Sequence, residues 1–100
     1  MVDLEKKYKR NENFVFRKID KEMILVPIKN NVGDMGFIYS LNELGAFIWE
    51  HLDGSNRLVE INKMILEEFE VSDQEAKEDL STFLGDLEEI GAISEMKHGA

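Results

Sequence analysis

Apolar residues change their spacing once along this chain, and the change falls at Asn42. Before it they alternate or form short blocks rich in β-branched and aromatic types. Phe14-Val15-Phe16-Arg17-Lys18-Ile19 reads as a strand, and Glu22 to Ile28 as a second. Asp20-Lys21 between them is a two-residue turn without the usual glycine, and Pro27 ends or disrupts the second strand because it has no N–H to donate. Asn30 to Asp34 is a loop, and Met35 to Leu41 a third strand in which Tyr39 and Leu41 alternate with Ser40. Short connections predict an antiparallel meander with the first and third strands at its edges.

From Asn42 onward apolar residues recur three and four apart. Asn42 caps a first helix, about Glu43 to Leu52, with Leu44, Phe47, Ile48 and Leu52 at helical spacing and Gly54 available for positive φ beyond its end. Gly54-Ser55-Asn56 is a break. A second helix covers about Leu58 to Phe69, with Ile61, Ile65, Leu66 and Phe69 inward. Ser72-Asp73-Gln74-Glu75 is a capping box that starts a third, carrying the stripe Ala76, Leu80, Phe83, Leu84, Leu87 and Ile90 and stopped by Gly91. Ala92-Ile93-Ser94 adds a short extended segment. The expected fold is α+β: a three-stranded antiparallel sheet, then three helices, in an order close to a winged helix-turn-helix. Residues 1–12 are expected to be a flexible arm, 13–95 one domain, and 96–100 a tail.

Composition narrows the function by exclusion. At 100 residues and 43% hydrophobic content the chain suits a single core, and it contains no cysteine. No signal peptide or membrane span is visible, so a cytoplasmic location is the expectation. Net charge is −9, unevenly spread. Residues 1–29 carry eight Lys/Arg against five Asp/Glu, and residues 30–100 carry four against sixteen. The third helix alone has seven acidic residues between Asp73 and Glu89, opposed by Lys77. A recognition helix so charged would repel phosphates, which argues against a winged-helix DNA-binding domain. No phosphate-binding glycine loop or pair of Cys or His at metal-ligand spacing occurs. His51 and His98 read as solvated side chains, and the carboxylate groups as polar helix faces. With no nucleophile–base constellation, the chain is expected not to be an enzyme and to need no cofactor.

Several segments, taken in order, suggest a family. These are Glu22-Met23-Ile24-Leu25-Val26-Pro27, then Leu41-Asn42-Glu43-Leu44-Gly45, then Ile48-Trp49-Glu50-His51-Leu52-Asp53-Gly54. Glu60-Ile61, Phe69-Glu70-Val71 and Phe83-Leu84-Gly85-Asp86-Leu87 running to Gly91-Ala92-Ile93 continue the series. Over about residues 14–95 the chain resembles the family of coenzyme PQQ synthesis protein D (PqqD), also called the RiPP recognition element. Two positions depart from the family pattern. Leu58 stands where threonine usually opens the second helix, moving the cap to Ser55 or Asn56, and Asp20-Lys21 replaces a glycine-containing turn.

The resemblance implies a non-catalytic peptide chaperone in natural-product biosynthesis. Such a domain binds the leader of a ribosomally made precursor peptide and presents it to a modifying enzyme, often a radical SAM enzyme. It also implies that the leader adds a strand beside the third strand and lies against the third helix. The residues are compatible with that mechanism. Gly36 to Leu41 carries no Lys, Pro or Glu to blunt a sheet edge, whereas the first strand carries Arg17 and Lys18. The peptide-binding set is therefore expected to be Gly36, Phe37, Ile38, Tyr39 and Ser40 on the strand, with Ala76, Lys77, Leu80, Phe83, Leu84 and Leu87 on the helix. Glu75, Glu78, Asp79 and Asp86 form an acidic rim suited to basic residues of the leader. A scaffold or homodimer built on the same strand edge is the alternative reading, with DNA binding below it.

Overall fold

The computed structural model describes residues 3–28 and 38–96. The loop at Asn30–Asp34, the strand residues Gly36 and Phe37, and His98 lie outside the described residues. The largest departure from the sequence reading comes first in the chain. Lys7–Arg10, within the segment expected to be a flexible arm, is strand β1. It lies in the middle of a sheet, between β5 (Asp53–Arg57) and β6 (Ile93–Glu95), and is antiparallel to both. Tyr8 is its anchor, 4% exposed in the core. One buried residue among Lys and Arg leaves almost no hydrophobic pattern to read. The pairing comes from partners more than forty residues away, and Gly54-Ser55-Asn56, expected as a break, is one of them.

The remaining strands follow the predicted meander. β2 (Phe14–Ile19) and β3 (Glu22–Pro27) pair antiparallel from Phe14↔Pro27 to Ile19↔Glu22, and β4 (Tyr39–Leu41) pairs with β3 to give the order β2-β3-β4. Asp20-Lys21 does make the two-residue turn. Asp20 takes a φ of 59°, which aspartate tolerates better than most residues, so no glycine is needed. Cross-strand pairing puts Phe16, Leu25 and Tyr39 on one face, with Met23 and Leu41 beside them. Met23, Leu25 and Leu41 on that face are buried and Tyr39 is half-buried, while Phe16 stays 45% exposed. The other carries Val15, Ile19, Ile24 and Val26, of which Val15 and Ile19 are exposed.

Of three helices, α1 (Glu43–His51) packs on the buried face of this sheet against β3 and β4, α2 (Leu58–Glu68) packs on α1 and β5, and α3 (Asp73–Glu89) packs on α2 and β6. Asn42 caps α1 as its position predicts, its Oδ1 accepting the Gly45 N–H at 2.8 Å. The other end of α1 is capped from a distance. Arg10 Nη1 donates to the carbonyls of Trp49 (2.9 Å) and Glu50 (3.0 Å), bringing a cation to the negative end of the helix. The same guanidinium lies 5.4 Å from the Phe16 ring centre, and Phe16 meets Trp49 edge-on at 5.8 Å. Trp49, fully buried, thus becomes the hub between both sheets and α1.

The cap of α2 falls on Arg57, not on Ser55 or Asn56. Asp53 takes both of those residues into its own turn, its Oδ1 accepting from Ser55 N (3.0 Å), Ser55 Oγ (2.9 Å) and Asn56 N (3.4 Å). Arginine has no side-chain acceptor, so only the return half of a capping box forms, Arg57 N–H to Glu60 Oε1 at 2.7 Å. In α3 the full box is present, with Ser72 Oγ accepting from Glu75 N and Glu75 Oε1 from Ser72 N, each at 3.1 Å.

Architecture is therefore α+β with three-stranded antiparallel sheets and three helices. The order differs from strands followed by helices, because β5 separates α1 from α2 and β6 follows α3. The second sheet sets the chain apart from the plain winged helix-turn-helix order expected of it. No helix among the described residues is long and apolar enough to cross a membrane.

Candidate peptide groove

Helical geometry divides α3 into an inner stripe and a flanking one. Ala76, Leu80, Leu84 and Leu87 form the inner stripe and are between 0% and 2% exposed. The sequence offers them for peptide contact, but they are buried in the core, where α3 packs against α2 and β6. Phe83 is half-buried and stands on the flank. Lys77, also half-buried, is tied to Asp73 by an ion pair of 2.8 Å. That bond holds the Asp73 carboxyl below the usual carboxylate range, with help from Asn62 Nδ2 at 3.1 Å.

A groove of about 280 Å³ runs along that flank. Asp79, Thr82, Phe83 and Asp86 line it from α3, one row at successive turns of the helix. Asn42, Leu44, Gly45 and Ile48 line it from α1. Its floor is apolar, and Asp79 and Asp86 stand exposed on its rim. The acidic rim is smaller than the sequence suggests. Glu75 is used in the α3 cap and Glu78 accepts from Gln74 Nε2 at 3.2 Å. Asp79 and Asp86 have no hydrogen-bonding or ionic side-chain partner among the described residues. A second depression, of about 370 Å³, continues along the helix past Gln74, Lys77, Glu78 and Ser81, and meets the first at Thr82.

The candidate strand edge is β4. It ends the β2-β3-β4 sheet, and Leu41 leads directly into Asn42 and the α1 wall of the groove. Ile38 just before it is 62% exposed, Ser40 is exposed, and Tyr39 packs partly against the core. None of these three lines the groove, whose wall begins one residue past β4 at Asn42, while Gly36 and Phe37 lie outside the described residues.

The α1 wall was missed by sequence reasoning, although Gly45 carried a signal. A glycine inside a helix costs up to about 1 kcal/mol against alanine, so its presence asks for a packing reason. A Cβ placed there would lie 3.1 Å from Phe83 Cε1, 3.3 Å from Asn42 Oδ1 and 3.4 Å from Leu41 Cβ. Gly45 lets Phe83 close onto α1, and so shapes the floor. No cluster of His, Asp or Glu that could hold a metal ion occurs among the described residues. His51 is a local helix contact, its Nδ1 donating to Phe47 O at 2.8 Å.

Comparison with known proteins gives the fold and the family. Two solved structures share the fold over nearly their whole length. "TbiB1 in Complex with the TbiA(beta) Leader Peptide" is 26% identical, with a TM-score of 0.72 over 92% of this chain and 96% of that one. "Lasso peptide synthetase B1 complexed with the leader peptide" is 19% identical, with a TM-score of 0.72 over 88% and 98%. The heterocyclase TruD matches at 18% identity and a TM-score of 0.60, covering 95% of this chain but 12% of that longer one. No curated protein matches the sequence. The family model described as "Coenzyme PQQ synthesis protein D (PqqD)" matches residues 22–93, nearly three quarters of the sequence. The chain belongs to the PqqD family.

Proposed function

We propose that this chain is a non-catalytic peptide chaperone of natural-product biosynthesis. It takes up the leader of a ribosomally made precursor peptide and presents it to a modifying enzyme, here assigned to the radical SAM class. The leader joins the β2-β3-β4 sheet as a further strand along β4, with apolar side chains in the groove between α1 and α3. The observation that carries this reading is the position of β4, a terminal strand leading straight into an apolar groove. Backbone bonding to a sheet edge fixes register and direction, and side-chain pockets beside it supply selectivity. Two relatives of the same fold are themselves complexes with leader peptides, which supports the class of ligand. A cytoplasmic setting follows from the reading, because precursor peptides are made there.

A scaffold or homodimer using β4 is the competing reading. DNA binding is disfavoured by α3, whose acidic flank faces outward. Calorimetry with the leader of the precursor encoded beside this chain's gene separates these readings. One-to-one binding, with the peptide's mass unchanged after incubation with this chain alone, is the expected result. A self-association that the peptide leaves intact, with no heat of binding, would favour the scaffold.

A further inference from the structure

Asp79 and Asp86 are seven residues apart on α3, about 10 Å along its axis, and Phe83 lies between them on the same row. An extended peptide following this row advances about 3.3 Å per residue, and every second side chain faces the same way. Side chains at positions one, three and five therefore span about 13 Å on one face. The flexible stems of lysine and arginine absorb the difference from 10 Å. We infer that the groove selects a leader segment of the pattern basic–any–apolar–any–basic. The apolar side chain enters the floor formed by Leu44, Ile48 and Phe83, and each basic side chain reaches one of the two carboxylates. The pattern reads the same in both directions, so it holds whether the added strand runs parallel or antiparallel to β4.

Charge supports a basic occupant over other peptides. Lys77, the cation of α3, is already held by Asp73 at 2.8 Å, so nothing on that helix neutralises Asp79 or Asp86. A leader segment with carboxylates at the outer positions would meet like charge at both ends of the groove, and the chain's net charge of −9 adds to the repulsion. Apolar floor and charged ends together distinguish this segment from a merely hydrophobic strand.

This inference rests on the peptide-binding reading, and its test keeps the two apart. The probes are four short capped peptides with threonine at the filler positions. Their contact residues are lysine–leucine–lysine, glutamine–leucine–glutamine, glutamate–leucine–glutamate and lysine–serine–lysine. Amide chemical-shift titrations against the full chain give affinities at low and at high salt. The expected order is lysine–leucine–lysine first. The glutamine peptide should bind about five- to tenfold more weakly, the size of one to two partly exposed ion pairs. The glutamate peptide should be weaker still, and the serine peptide should lose the Phe83 and Leu44 shifts. High salt, or the double variant Asp79→Asn/Asp86→Asn, should erase the difference between the lysine and glutamine peptides while the variant's free spectrum stays folded. Equal affinity for those two peptides would overturn the charge pattern and leave peptide binding standing. If the lysine–leucine–lysine peptide moves no amide in β4, α1 or α3, the groove reading itself fails.

Discussion

At the scale of single residues, the groove depends on how closely Phe83 approaches Gly45. The 3.1 Å that would separate a new Cβ from the Phe83 ring is too short for comfort, and a half-buried ring has room to swing outward into the groove. Gly45→Ala should therefore act on binding more than on folding. Alanine's better helix propensity, up to about 1 kcal/mol, offsets much of the strain. Expected are a melting temperature within a few degrees of the parent and a peptide affinity about tenfold lower, read by denaturation and calorimetry. The reverse pattern, lost stability with intact binding, would mean that the floor is not where the peptide rests. Asp53 offers a test of charge. Its hydrogen bonds from Ser55 and Asn56 hold its carboxyl below the ordinary value near 3.8. A lowered folded-state pKa contributes stability that is fully present above the unfolded value and is lost as pH falls through the folded one. Stability should therefore decline below about pH 4, and Asp53→Asn, which keeps an acceptor but cannot titrate, should make that acid limb shallower and leave the share that Asp73 supplies.

At the scale of elements, the parts legible in the sequence were those whose signal is local. The α3 start at Ser72 needed only its own four residues, and Ser72→Ala should cost about 1 kcal/mol, a fall of roughly 4–8 °C in melting temperature. A smaller loss would mean that Glu75 and water serve the helix end without the serine. The turn at Asp20-Lys21 was legible too, from two β-rich runs exactly two residues apart in spacing. The inner stripe of α3 was also readable, but which of its residues touch a ligand was not. Periodicity gives a face, whereas contact is decided by what packs on either side of it. Ala76, Leu80, Leu84 and Leu87 went to the core and Phe83 to the groove because α1 lies along only one flank of α3.

At the scale of the whole molecule, the missed feature is the sheet that joins the chain's two ends. β1, β5 and β6 are short and polar, and each pairs with a distant partner, so no window of sequence contains the evidence for them. The consequence is a firm prediction about residues 1–12. Tyr8 closes the core, and β1 N–H and C=O groups bond to both neighbours, including Arg10 N to Leu52 O at 3.1 Å and Met96 N to Lys7 O at 2.8 Å. A chain lacking residues 1–12 should lose at least about 3 kcal/mol, the scale of removing one large core side chain, and melt more than about 10 °C lower. Unchanged melting would show that segment to be the loose arm its composition suggests.

The central claim is that a foreign extended segment bonds to β4 while its apolar groups settle beside α3. Hydrogen exchange of backbone amides, followed with and without the cognate leader, addresses it most directly. The account predicts slowed exchange at Ile38–Leu41, with smaller protection where α1 begins, and no change in Lys7–Arg10. Bound leader with unaltered exchange at Ile38–Leu41, or with protection confined to the β5-β1-β6 sheet, would contradict it.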